Sequence, residues 1–154
     1  MDYLIRPAGE ADFPAVLDLI RELALYEKAP EKVTNSVEQM IREQEFFRCL
    51  VAVQEDGRIL GMALYFFAYY TWVGKSLYLD DIYVKEPYRR LGIGSALLQE
   101  VFGIARIQQC KRVRWQVLNW NEPAIRLYAK SGAEIDSDWL NCSFDEEGID
   151  NYGK

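Results

Sequence analysis

Apolar and polar positions change period several times along the chain, and each change marks an element. Residues 3–6 alternate and stop at Pro7, which predicts a short first strand. Gly9 can cap the helix that follows, with Asp12 in its first turn. Phe13, Val16, Leu17, Ile20, Leu23 and Ala24 then recur at helical spacing until the pattern fades near Pro30. Ser36 and Gln39 form a capping-box pattern ahead of a second helix reaching about Gln44. Two β-rich runs, residues 48–54 and 58–70, flank Asp56-Gly57, a hairpin-turn signal. Residues 76–84 read as the next strand, and 94–109 as a helix with Ala96, Leu97, Val101, Ile104 and Ala105 on one face. Residues 112–118 read as a further strand. Asn121 caps a helix with Pro123 in its first turn, where a missing N–H costs little, and with Gly132 just past its end. Residues 139–144 are the predicted final strand, and the tail from Asp145 is polar. A hairpin first and helix–strand alternation afterwards predict one α/β (α+β) domain over residues 1–154. Its single mixed, mostly antiparallel central sheet is flanked by helices on both faces.

Composition narrows the chemistry. The chain has no histidine, which excludes His-based triads, His-zinc sites and a His general base. Scattered Asp and Glu without ligand spacing argue against a metal site. A formal charge of −6 disfavours nucleic-acid binding, which needs basic patches. Cys49, Cys110 and Cys142 are far apart and form no CxxC, so reduced, buried thiols of a cytoplasmic protein are expected. The opening MDYLIRPAGE lacks a basic stretch followed by an apolar one, so no secretory leader is expected. The longest apolar stretch, residues 59–70, is too short to cross a bilayer, and no membrane association is expected.

The most informative segment is LYLDDIYVKEPYRRLGIGS, a strand, a glycine-punctuated turn and the start of a helix. Gly92 and Gly94 let backbone N–H groups point into one concavity, the helix N-terminus adds its positive end, and Arg89 and Arg90 add charge. Such a cradle suits a phosphate or pyrophosphate. It is not a P-loop, because no lysine follows the glycines. It is not a dinucleotide fingerprint either, because position 97 is Leu.

With Arg89, Gly92 and Gly94 in this order after a strand, the chain resembles the GNAT superfamily of acetyl-CoA-dependent N-acetyltransferases. IRPAGEADF and LNWNEPAIRLYAKSGA extend the resemblance over nearly the whole chain. LALYEK, YYTWVGKSLYLDDIYV and YRRLGIGS are most similar to the diamine acetyltransferases, which include polyamine and thialysine enzymes. The resemblance implies a GNAT fold and acetyl-CoA as donor cosubstrate. It also implies a small-molecule amine acceptor and a homodimer. The pantetheine arm would pair with the backbone of Ile82, Tyr83 and Val84. Arg90, Leu91, Gly92, Ile93, Gly94 and Ser95 would wrap the pyrophosphate, with Arg89 nearby. Asn121, Glu122, Pro123 and Ala124 would touch the arm from the other side.

An ammonium of pKa about 10.4 leaves roughly one molecule in a few thousand neutral at pH 7, so the site needs a base or a proton path. Asp80 lies where the resembling enzymes carry a glutamate. It would hold the amine and take its proton, directly or through water, and the side chain, one methylene shorter, favours the water relay. Asp80 and Asp81 are adjacent, so in a strand they face opposite ways and only one enters a given pocket. The resemblance makes Tyr128 the acid for the departing thiolate. Its spacing from Asn121, two helical turns, puts both on one face. The N–H of Ile82 is the expected oxyanion donor.

By the same resemblance Tyr26, Glu27, Trp72, Asp80, Asp81, Arg114, Trp115, Gln116 and Trp139 flank the acceptor. Polyamine-specific members carry an acidic residue where this chain has Tyr70, which favours a short, thialysine-like amine over spermidine or spermine. Two alternatives stay open: acetylation of protein lysines or N-termini, and a non-catalytic acyl-CoA sensor.

Overall fold

The structure is a computed structural model describing residues 1–154. Its chain divides into two compact units, Met1–Gln116 and Val117–Lys154.

The first unit holds the sheet, in the order β1-β2-β3-β4-β5. Strands β1 (Tyr3–Pro7), β2 (Arg48–Gln54), β3 (Ile59–Tyr70) and β4 (Gly74–Val84) pair antiparallel in succession, and β5 (Val113–Arg114) joins β4 in parallel. Gly57 turns the β2–β3 hairpin at φ 84°, the left-handed conformation that Asp56-Gly57 predicts. Helices α1 (Phe13–Tyr26) and α2 (Val37–Arg42) cover one face, and α3 (Ile93–Ile107) covers the other.

Each face has its own core. Phe13, Val16, Leu17 and Leu19 of α1 pack with Met40, Val51, Met62 and Leu64. Leu97, Val101 and Ala105 of α3 pack with Leu60, Ala63, Leu77 and Leu79. Each fully buried aliphatic side chain contributes about 2 kcal/mol of transfer energy. Ahead of α1, Asp12 accepts both guanidinium N–H groups of Arg6, at 2.7 and 3.0 Å, and the Gly9 N–H at 2.8 Å. Gly9 therefore opens a 3-10 turn, Glu10–Asp12, and α1 begins after it. Ser36 caps α2 as its sequence predicts, accepting from the Gln39 N–H at 3.2 Å. The Gln39 side chain turns to Glu43, so the capping box is only half formed.

The second unit holds α4 (Glu122–Lys130) and α5 (Glu146–Asn151). Asn121 stands at the N-cap of α4 but makes no side-chain capping bond there. Gly132 follows the helix end at φ 90°.

Two expectations are corrected. The strand predicted over 112–118 is only Val113–Arg114, because β4 offers partners only at Leu77 and Tyr78. The strand predicted over 139–144 does not form. Alternation makes a strand only where an edge pairs with it, and the sheet ends at β5. Asp145 instead caps α5, its carboxylate accepting from Gly148 at 2.9 Å.

Candidate active site

The site is built on a break in β4. Tyr65 of β3 stands opposite Leu79, and Leu64 opposite Asp81, so Asp80 is an extra residue in β4. This is a β-bulge, which bends its strand and increases the local twist. Leu79 and Ile82 both belong to the α3-side core, and the two aspartates between them lie on the opposite, α1 side. The expectation that Asp80 and Asp81 face opposite ways is thereby corrected: the inserted residue resets the alternation and puts both on one face.

Glu27, at the C-cap of α1, completes the group. Burial pushes the Asp81 carboxyl up to about 7, and the charges of Asp80 and Glu27 add to the shift. Glu27 is raised by burial and then by Asp80. The Asp80 side chain is accessible to water, and crowding by protein atoms raises its pKa as well. The like charges that oppose ionisation of Asp81 and Glu27 favour an incoming cation.

The bulge also switches the backbone. Before it, β4 uses Lys75 and Leu77 to pair outward: Lys111 N–H donates to Lys75 O at 2.8 Å, and Leu77 N–H to Arg112 O at 2.9 Å. After it, Lys85 N–H donates inward to Leu60 O at 2.9 Å, and alternation from that bond turns Ile82 and Val84 outward. No strand pairs with that edge beyond Tyr78. The Ile82 N–H thus sits where an oxyanion or a ligand amide could use it. Tyr83 is the exception among the three expected backbone contacts, because its N–H and C=O face β3.

Beyond β4, Arg90 (φ 63°) and Gly92 (φ 81°) are left-handed and curl the loop into α3. The first internal bond of α3 is Ala96 N–H to Gly92 O, and no side chain caps the helix, so its first-turn N–H groups are available. A Cβ at Gly92 would meet nothing within 4 Å, and one at Gly94 only a Val84 methyl at 3.8 Å. Packing therefore does not require the glycine at 94. Its bareness leaves backbone open to a bulky anion, and the cradle fits the pyrophosphate of a coenzyme A thioester. Leu91 and Arg90 are exposed beside it.

Arg89 departs from its expected role. Its Nε donates to Val84 O at 2.9 Å, and its guanidinium lies 5.2 Å from the Tyr83 ring centroid and 5.7 Å from that of Tyr26. It braces the end of β4 against α1, which leaves Arg90 as the free cation of the loop. Trp115 also departs: it packs against the α3-side core, edge-on to Phe102 at 6.4 Å between centroids. Trp72 stands at the β3–β4 hairpin tip, 84% exposed and about 20 Å along the strand from the bulge. Arg114, by contrast, is the register partner of Tyr78. Gln116 ends the first unit.

In the second unit the less exposed stripe of α4 is Asn121, Ala124, Ile125 and Tyr128, with Glu122 and Pro123 outside it. Burial raises the Tyr128 phenol, which keeps it protonated through the neutral range. Trp139 is 67% exposed. Of the cysteines, Cys49 is buried and its thiol is pushed up to about 12 by burial, then by Asp12 and Asp81, so it is no nucleophile. Cys142 is exposed, against expectation. A cavity of about 280 Å3 lined by Pro7, Phe13, Phe47, Cys49 and Tyr65 shares none of the site residues.

The Acetyltransferase (GNAT) family profile matches residues 13–133. The chain belongs to the GNAT acetyltransferase family. It is an N-acetyltransferase, and members of the family use acetyl-CoA as cosubstrate. This acetyltransferase is 42% identical to thialysine N-epsilon-acetyltransferase of Sus scrofa, over 95% of this chain and 94% of that one. It is 37% identical to spermidine/spermine N(1)-acetyltransferase-like protein 1 of Homo sapiens, over 86% of this chain but 21% of that protein. Among solved structures, a putative acetyl transferase from Pyrococcus furiosus superposes with a TM-score of 0.72 at 26% identity, covering 93% of this chain and 100% of that one. No group of side chains in the structure could hold a metal ion, and no helix is long and apolar enough to cross a membrane.

The bulge is the feature of the candidate site that the sequence does not reveal. Nothing in Leu79-Asp80-Asp81-Ile82 marks an insertion, since the extra residue is defined only by the strand opposite.

Proposed function

We propose that this acetyltransferase moves the acetyl group of acetyl-CoA to the primary amine of a small molecule by direct attack in a ternary complex. The observation that supports this most is the convergence of Asp80, Asp81 and Glu27 beside the outward-facing Ile82 N–H. The ammonium binds among the carboxylates. Its charge draws their pKa values down, so Asp81, pushed up to about 7, or Asp80, raised by burial, can take the proton directly or through water. The amine then attacks the thioester carbonyl, and the Ile82 N–H holds the developing oxyanion. Tyr128 keeps the role the family resemblance gives it, protonating the departing thiolate. Arg90 and the α3 N-terminus hold the donor's phosphates, and Asn121, Glu122, Pro123 and Ala124 flank its arm. Both units serve one domain in this reading, and a cytoplasmic homodimer belongs to it as well.

Coenzyme A release should be followed with acetyl-CoA and a panel of thialysine, lysine, spermidine, spermine, putrescine and a lysine peptide. Selective turnover of thialysine or another short amine is expected. Turnover of the peptide alone would replace the reading with protein acetylation. Tight acetyl-CoA binding without turnover of any member would overturn it in favour of a sensor.

A further inference from the structure

Strand β1 ends at Pro7, opposite Leu50, and the last backbone bond on that side is Ala8 N–H to Cys49 O at 2.9 Å. Strand β2 begins further out, at Arg48, opposite Tyr65 of β3. At this end β1 offers nothing opposite Arg48, and a cavity of about 280 Å3 opens there. Its apolar walls come from both faces of the sheet. Phe13 and Phe47, with ring centroids 5.5 Å apart, belong to the α1 side, and Leu50 and Ile104 to the α3 side. The volume falls just short of the about 300–1,000 Å3 that drug-sized ligands fill, so the cavity suits a smaller molecule.

Two donors open on these walls. Tyr65 is only 6% exposed, and its hydroxyl makes no hydrogen bond within the protein. A phenol at that depth ordinarily finds a partner. No fully buried polar side-chain atom of the structure lacks one, so this hydroxyl is not sealed in the core and opens on the cavity that Tyr65 lines. Arg48 stands exposed at the mouth. Its Nη1 donates to Phe47 O at 2.8 Å and Glu45 O at 3.3 Å, which leaves Nε and Nη2 for a ligand, and no carboxylate pairs with it. Burial raises the Tyr65 phenol and the Arg48 charge opposes the rise, so the guanidinium and the hydroxyl are neighbours.

The lining supplies no anion of its own. Cys49 keeps its proton, and the one carboxylate bonded to a lining side chain, that of Glu10, is engaged by the Gln44 amide at 2.6 Å. We propose that this cavity is a second ligand site, for a small monocarboxylate with an apolar body. The carboxylate binds Arg48 and the Tyr65 hydroxyl, and the body lies among Phe13, Phe47 and Ile104. Charge-assisted bonds of this kind are about twice as strong as neutral ones, which favours an acid over an uncharged molecule of the same shape. The cavity shares no residue with the acetyl-transfer site, so the ligand and acetyl-CoA bind together.

The test is an NMR titration of the full chain with 3-phenylpropionate as probe and its uncharged amide as control. A Kd on the order of 0.1–1 mM is expected for an acid of about ten heavy atoms. The amide should bind roughly tenfold more weakly. Arg48→Ala should weaken the acid about tenfold and leave the amide unaffected, which also shows that the cavity of the variant is intact. Tyr65→Phe keeps the ring and should weaken the acid about threefold. Saturating acetyl-CoA should leave the Kd of the acid unaltered. No binding of the acid, equal binding of acid and amide, or an acid affinity that Arg48→Ala leaves unaltered would overturn the assignment. So would displacement of the acid by acetyl-CoA, which would place the probe in the acetyl-transfer site. None of these outcomes bears on acetyl transfer itself, which the amine panel tests separately.

Discussion

Asp81 feels the bulge most strongly. In the unfolded chain its carboxyl titrates near the ordinary aspartate value of about 3.9. In the folded protein it keeps its proton up to about 7. Between these values the folded state binds more protons than the unfolded one, so this residue's effect on stability worsens as pH rises through that window. Asp81→Asn removes the titration. Its melting temperature relative to the parent should climb by about 3 °C or more from pH 5 to pH 8. A difference that is the same at both values would show that Asp81 is not buried among like charges. The sequence supplied the residues of this cluster, since DD on a strand beside a cofactor loop is visible without coordinates. It did not supply their common face, because facing depends on register, and one inserted residue reverses it. Arg89 is a similar case. Its spacing before the glycines marks it for phosphate, but only the fold brings the Tyr83 and Tyr26 rings and the Val84 carbonyl within its reach.

Elements with strong local signals were legible: the Asp56-Gly57 hairpin, the apolar stripe of α3 and the Ser36 cap. Elements that depend on a distant partner were not. The segment 139–144 has strand character and no ladder, and β5 is short because β4 supplies only two partners before it bulges. The β3–β4 pairing past the bulge is correspondingly exacting. A Cβ at Gly61 would stand 2.8 Å from the Tyr83 carbonyl oxygen and 3.1 Å from a Val84 methyl. Backbone cannot yield as a flexible side chain does, so Gly61→Ala should part β3 from β4 at a cost of about 2 kcal/mol. The melting temperature should drop by roughly 4–8 °C. Because Ile82 and Val84 would shift too, acetyl-CoA should bind several-fold more weakly in a direct titration. An unaltered melting temperature would mean that the strand pairing there is looser than described.

At the scale of the whole molecule, the net charge of −6 conceals a division of labour. Carboxylates gather at the bulge on the α1 side, and backbone N–H groups with Arg90 gather at the start of α3. Guanidinium groups gather on Tyr70. Composition reported only the sum and excluded histidine-based chemistry. The placement of each group follows from one sheet whose fourth strand breaks register at Asp80. In the proposed reaction the carboxylates of this break hold and deprotonate the acceptor amine. The most direct test is steady-state acetylation of thialysine by the Asp80→Asn/Asp81→Asn double variant, with acetyl-CoA affinity measured in parallel. A fall in kcat/KM of about a hundredfold or more is predicted, the range of general-base catalysis, with acetyl-CoA binding essentially kept. Turnover within about threefold of the parent would contradict the account and place the proton acceptor elsewhere.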